Sequence, residues 1–184
     1  MKRLKIILKK IPYLRFVYKQ IKIFFLKPQK NFIHKTAIIS GKKENLFIEY
    51  NTQIWEYVII RISDNKISIG ENTQIGPFSV IFGGGGVKIG DNVMVAPHCV
   101  IASGNHNYKQ TNKPMRFADN ITKGPITIED DVWIGVNCTI TDGVTIGKGA
   151  VVGANSLVNK NIAPYDIVGG VPIKKISNRN NFKK

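Results

Sequence analysis

The 184-residue chain is poor in the groups that most often carry chemistry, with two cysteines, three histidines, three methionines and two tryptophans. Two thiols leave no disulfide framework to staple a small scaffold. Acidic residues are missing altogether before Glu44, although residues 1–43 carry thirteen Lys or Arg; residues 44–184 carry fourteen basic against twelve acidic side chains. The formal charge of +15 therefore splits into +13 and +2, and the positive field belongs to the N-terminal stretch. Long apolar runs are missing too. In that stretch the longest is Ile23 to Leu26, four residues, where a membrane span needs about 20 and a signal peptide about 7–15. Neither export nor spanning is expected, and the chain is expected in the cytoplasm.

What is present is a beat of six. Aliphatic residues stand at Ile48, Ile54, Ile60; Ile69, Ile75, Ile81; Ile89, Val95, Ile101; Ile128, Ile134, Ile140; and Ile146, Val152, Val158. Neither the helical period of 3.6 nor simple alternation generates that spacing. Short strands joined by tight corners do, with one aliphatic side chain per strand turned inward. Surplus residues enter only after a completed set of three, in the steps 60 to 69, 81 to 89 and 101 to 128. The pattern predicts a three-sided coil of 18 residues per turn over five turns, with extra chain ejected at one vertex. Such a solenoid buries a continuous core by stacking each turn on the next.

Within each hexad the second place is often Gly, as at Gly70, Gly76, Gly90, Gly135, Gly147 and Gly153, and the fifth is small or apolar. Both cysteines, Cys99 and Cys138, occupy fifth places and are expected as small core side chains rather than as metal ligands or nucleophiles.

Residues 1–35 read as a basic amphipathic extension, with Leu4, Ile7, Ile11, Leu14, Tyr18, Ile21 and Phe25 at helical spacings and Pro12 as a kink. Such a helix suits either the surface of an anionic membrane or packing on the coil or a second subunit. No nucleic-acid motif accompanies the charge. The coil is expected over 36–176, followed by a basic tail at 177–184. A 21-residue excursion, 107–127, interrupts the coil, and His106 stands at its threshold in Ser103-Gly104-Asn105-His106-Asn107-Tyr108. Loops this long in compact domains are usually functional. A side chain fixed on one side by rigid scaffold suits catalysis.

Gly90-Asp91-Asn92-Val93 with Ala96-Pro97, the His106 threshold, Ile126-Thr127-Ile128-Glu129-Asp130-Asp131-Val132-Trp133-Ile134-Gly135, and Gly169-Gly170-Val171-Pro172 together resemble the hexapeptide-repeat acyltransferases. The narrower likeness is to the maltose and galactoside O-acetyltransferase branch and to acetyltransferases of bacterial polysaccharides, and it covers roughly residues 36–176. The resemblance implies an all-β solenoid, a left-handed parallel β-helix, assembled as a homotrimer with sites between subunits. It implies acetyl-coenzyme A as donor, a sugar hydroxyl as acceptor, cell-surface polysaccharide synthesis as the setting, and no metal. By the same resemblance His106 is the general base, and Trp133, Val136, Ala154, Asn159, Lys160 and Lys174 contact the coenzyme. Lys174 stands where the galactoside branch more usually has Arg, which forfeits a bidentate fork toward phosphate. The branch's acceptor contacts are replaced by Pro77 and the run Gly83–Gly86, so the acceptor pocket is expected to differ. Asp119 and Asp131 are candidates for orienting His106. N-acetylation of an amino sugar, a non-catalytic scaffold and a zinc enzyme using His34, His98 and His106 are the competing readings.

Overall fold

In the computed structural model the described residues are 30–182. The expected helix over residues 1–29 lies outside them. Residues 31–182 wind as a parallel β-helix, left-handed, of about six turns.

The first face stacks Phe32–Ile33, Gln53–Ile54, Gln74–Ile75, Met94–Val95, Trp133–Ile134, Val151–Val152 and Asp166–Gly169 in parallel, closed by the antiparallel Lys174–Asn178. The second stacks Ile38–Gly41, Ile59–Ile62, Val80–Phe82, Val100–Ala102, Thr139–Thr141 and Leu157–Val158. The third stacks Leu46–Ile48, Ile67–Ile69, Val87–Ile89, Ile126–Ile128 and Thr145–Ile146. The hexad residues pair in register as expected: Ile54 with Ile75, Ile75 with Val95, Val95 with Ile134, and Ile134 with Val152, with matching columns on the other two faces. Their side chains form one buried core running the length of the prism. Removing each from water contributes about 1.5–3 kcal/mol.

Fifth-place residues fill the vertices between those columns. Thr52 and Thr73 are fully buried there, and their hydroxyls donate to Gly70 O at 2.9 Å and Gly90 O at 2.8 Å, so the polar group costs little. Cys99 and Cys138 are buried and free, stacked on successive turns. A hydrogen bond with Cys138 and burial push the Cys99 thiol far above its ordinary range, as expected of a core side chain.

The vertices demand a left-handed residue each turn. Between third and first faces that residue is Asn51, Asn72, Asn92 or Asp131, with φ of 54–58°, and Gly149 at 68°. Asn and Asp tolerate this region because their short side chains bond locally. Between first and second faces it is Tyr57, Phe78, His98, Asn137 and Asn155. The three rings stack with centroids 5.0 and 5.1 Å apart, which offsets the strain of bulky residues at positive φ.

The structure extends the repeat beyond the five turns read from spacing. Ile33 and Ile39 pair with Ile54 and Ile60 ahead of the first set, so the coil begins inside the stretch assigned to the 1–35 extension. Ile162 bridges Ile146, and Val168 pairs with Val152 after the last set. The step from Val158 to Ile162 is only four residues, a shortened corner that hid the sixth turn. The tail expected at 177–184 is also structured: Asn178 ends a strand and Arg179–Phe182 form a 3-10 turn. Arg179 donates to Asp131 Oδ2 at 2.9 Å and Gly149 O at 2.8 Å.

The outward rows of the faces differ. The second presents Ile38, Ile59, Val80, Val100, Thr139 and Leu157, half-buried except for exposed Ile38. The third presents Phe47, Ser68, Lys88, Thr127 and Thr145.

Ile134 is fully buried at mid-coil. Ile134→Ala is therefore expected to destabilise the chain by about 2–5 kcal/mol, read as a lower midpoint in urea unfolding with the slope unchanged.

Candidate active site at the second-to-third vertex

All the surplus chain leaves at the vertex between second and third faces, as 3-10 turn Lys43–Asn45, as Ser63–Lys66, as Gly83–Gly86, and as the long excursion after Ala102. That excursion rejoins the coil at Pro125, because Ile126 and Thr127 already pair with Val87 and Lys88. It is a built element. Asn105–His106 pairs antiparallel with Asn120–Ile121, and Met115–Phe117 form a 3-10 turn at its tip. Thr122 Oγ1 donates to Ser103 O at 2.7 Å, and Lys123 N donates to Asp142 Oδ2 at 2.7 Å, pinning the returning strand to the coil.

His106 sits on the outgoing strand of this hairpin with its side chain exposed. Its backbone N–H donates to Asn105 Oδ1 at 2.9 Å and its carbonyl accepts from Tyr108 N at 2.9 Å, which fixes the residue at both ends. The imidazole borders a cleft of about 690 Å³ lined by Arg61, Asp64, Asn65, Phe82, Gly84, Asn120 and Thr122, among others. Gly84 and Gly104 form its bare floor: a Cβ on Gly84 would come within 3.2 Å of Gly104 Cα. Gly85 is hemmed in equally, with Ser103 O and Thr122 Oγ1 each 2.3 Å from where its Cβ would stand.

Neither carboxylate considered as an orienting group touches His106. Asp119 accepts from Lys113 Nζ at 3.0 Å and Gln110 Nε2 at 3.1 Å, while Asp131 binds Arg179. Asp119 instead clamps the hairpin, together with the Asn107 N to Asp119 O bond at 2.8 Å. The Lys113 and Gln110 hydrogen bonds hold its carboxyl below the usual carboxylate range. Among the described residues no group of three or more His, Cys, Asp or Glu is placed to hold a metal ion.

The other expected site residues fall on two vertices. Asn159 and Lys160 follow Leu157–Val158 on the same vertex as His106, two turns along, and are exposed. Val136 lies on the vertex between first and second faces with Ala154 stacked one turn beyond, and Asn155 N donates to Val136 O at 2.9 Å. Gly135 keeps this approach close, since a Cβ there would lie 2.7 Å from Ala154 N. Trp133 projects from the first face, half exposed, between Met94 and Val151. Lys174 pairs with Gly169 at the end of that face. Lys175 is occupied by Asp166 at 2.7 Å, and that bond, with one from Asn178, holds Asp166 below its ordinary range. One chain thus brings His106 together with Asn159 and Lys160 along a vertex, and leaves Val136 and Ala154 across the second face.

Arg61 and Phe82 escaped the sequence reading. Each directly follows a register isoleucine, on the last outward place before the vertex that takes insertions, and that coincidence was the available signal.

Comparison with known proteins agrees with this architecture. Residues 66–103 match the model described as bacterial transferase hexapeptide (six repeats), and residues 125–160 the model described as hexapeptide repeat of succinyl-transferase. The chain belongs to the hexapeptide-repeat transferase family. It is 36% identical over 160 residues to galactoside O-acetyltransferase of Escherichia coli K12, covering 87% of this chain and 63% of that protein. The solved structure of AntD, an N-acyltransferase from Bacillus cereus in complex with dTDP and 3-hydroxybutyryl-CoA, superposes with a TM-score of 0.72 at 25% identity, covering 81% of this chain and 80% of AntD. The polySia-specific acetyltransferase NeuO superposes with a TM-score of 0.62 at 26% identity, covering 77% and 65%. The chain spans between 27% and 63% of the length of the curated relatives it matches.

The depressed Asp119 carboxyl gives the hairpin clamp a defined pH dependence. A group whose folded-state value is lowered contributes above its unfolded value, about 3.9, and loses that contribution as pH falls through the folded value. The protection factor of the Asn107 amide, its intrinsic exchange rate divided by the observed one, is expected to stay high through neutral pH and to fall only in strong acid. Asp119→Asn is expected to exchange faster at neutral pH and to lose the acid-linked step.

Proposed function

We propose that this chain is an acetyl-coenzyme A-dependent O-acetyltransferase that acylates a sugar hydroxyl, with His106 as general base, in cell-surface polysaccharide synthesis. The observation that carries the reading is an exposed histidine whose backbone is held on both sides within a hairpin pinned to rigid coil, at the edge of a polar cleft. The likeness to a galactoside O-acetyltransferase, to AntD with its bound acyl-coenzyme A, and to NeuO supports it.

The neutral imidazole of His106 accepts the acceptor's hydroxyl proton as that oxygen attacks the thioester carbonyl. Negative charge gathers on the carbonyl oxygen and calls for a preorganised donor, for which the Val136 backbone N–H is the candidate. Collapse of the tetrahedral adduct breaks the carbon–sulfur bond, and the coenzyme thiolate takes the proton from the imidazolium. The products are the sugar ester and free thiol.

Val136 and His106 lie on different vertices, so this assembly calls for a second copy. The apolar outward row of the second face supplies the contact: Ile38, Ile59, Val80, Val100 and Leu157 turned toward a three-fold axis bury one another. With three such faces around the axis, the His106 vertex of each protomer lies beside the Val136 and Ala154 vertex of the next. Asn159, Lys160 and Lys174 then serve the coenzyme's polar groups, and Trp133 and Ala154 flank its arm. The excursion, with exposed Tyr108, Met115 and Phe117, overhangs that seam.

N-acylation of an amino sugar is the second reading, favoured by the AntD superposition. The experiment is a thiol-release assay with acetyl-coenzyme A against paired hydroxyl and amino acceptors. Hydroxyl acceptors are expected to release thiol, and His106→Ala is expected to remain folded and lose roughly 10²–10⁴-fold of that rate. Turnover confined to amines would move the assignment to the second reading, and an undiminished His106→Ala rate would remove the base.

A basic amphipathic extension lying on an anionic membrane would bring the enzyme to lipid-linked acceptors; packing on the coil or a second subunit is the alternative. Deleting residues 1–30 is expected to abolish sedimentation with anionic vesicles while leaving thiol release with a soluble acceptor; sedimentation unchanged by the deletion would argue for packing on the protein instead.

A further inference from the structure

We infer that the acceptor carries an anionic group, a carboxylate or phosphate, which Arg61 binds while Phe82 supports the adjoining sugar ring. The inference rests on the acetyl-transfer reading for its chemistry, and on the cleft beside His106 for its geometry.

Arg61 and Asp64 are the Lys, Arg, Asp and Glu side chains that line this cleft. They are not equivalent. The Asp64 carboxylate is met by Lys42 Nζ in a direct ion pair, so its charge is answered from outside the cleft. Arg61 makes no ion pair among the described residues; its guanidinium stands over the Phe82 ring at 5.9 Å from the centroid. The cleft therefore carries one uncompensated positive charge. A guanidinium offers a planar fork of donors that matches carboxylate and phosphate oxygens two at a time.

The shape of the cleft agrees. Phe82 leaves 40% of its surface exposed beside the cleft, so part of its ring is open to an apolar contact. Gly83, Gly84 and Gly104 line the space beside it without side chains. A flat, half-apolar body such as a pyranose fits against that ring over a bare floor. Asn65 reinforces the wall by donating to Gly84 O at 2.6 Å, and Ser63 Oγ donates to Gly83 O at 2.9 Å. His106 lines the same cleft, so a ring seated on Phe82 with its anion on Arg61 turns a hydroxyl toward the base.

The test uses the full chain and three acceptors that differ in one group: methyl glucoside, methyl glucuronide and glucose 1-phosphate. Binding is read by ligand-observed NMR without donor, and KM by thiol release. Wild-type protein is expected to bind one or both anionic sugars roughly ten- to hundred-fold more tightly than the neutral one, as a charge-assisted hydrogen bond implies. Which anion gains more tells carboxylate from phosphate. Arg61→Gln is expected to erase that preference, so that the three sugars bind alike, while Arg61→Lys restores part of it and reports that the fold survives at this position. Raising the salt concentration is expected to narrow the preference in wild type and to leave Arg61→Gln unaffected. Equal binding of all three sugars by wild type, or a preference retained in Arg61→Gln, overturns the inference. A preference that persists while no acceptor releases thiol keeps the anion site and overturns the acetyl-transfer reading instead.

Discussion

Every turn of this protein is held by the same pair of contacts, an aliphatic side chain on the aliphatic side chain above it and a backbone N–H on the carbonyl one turn away. Ile54, Ile75, Val95, Ile134, Val152 and Val168 form one such column, and Gly76 N to Val95 O at 2.8 Å is typical of the ladder beside it. Because each turn contacts only its neighbours, a residue lost or gained within a face would turn its inward side chains out. The prism tolerates insertion solely at a vertex, where the chain is already leaving one face for another.

That constraint selects where chemistry can sit. The vertex between second and third faces takes the surplus, and it presents Gly83–Gly86, the Asn105–Ile121 hairpin and His106 together. The coil supplies rigidity, since Ser103, fully buried, donates its hydroxyl to Phe82 O at 3.0 Å and accepts from Gly85 N at 3.0 Å. The excursion supplies reach. Its own order comes from Asp119, whose carboxylate and carbonyl tie Gln110, Lys113 and Asn107 into one clamp. A carboxylate spent in this way is unavailable to orient His106.

The faces themselves divide the labour by polarity. Outward Ile59, Val80, Val100 and Leu157 suit a dry contact, whereas outward Lys88, Thr127 and Thr145 suit water. The proposed trimer follows from that asymmetry, and it would bring together the expected coenzyme-binding residues, which one chain spreads over two vertices. The cleft beside the excursion is open to one side, and a seam between prisms would provide the second wall of a closed site.

The aliphatic period alone pointed to three faces around a shared interior, and His106 stood out because it precedes the longest interruption of that period, whereas the left-handed winding came from the family resemblance. The period also located both cysteines in the core, where fifth places point inward. It misjudged the ends, since Ile33 and Ile39 looked continuous with a basic amphipathic stretch, and the four-residue step from Val158 to Ile162 broke the count. Only the tertiary structure decided that the excursion is a clamped hairpin, that Asp119 and Asp131 serve Lys113 and Arg179, and that Arg61 and Phe82 flank His106. Those facts depend on which polar partners flexible side chains choose, 6 and 9 residues apart within the hairpin and 48 apart between Asp131 and Arg179, and the register of aliphatic residues does not specify that choice.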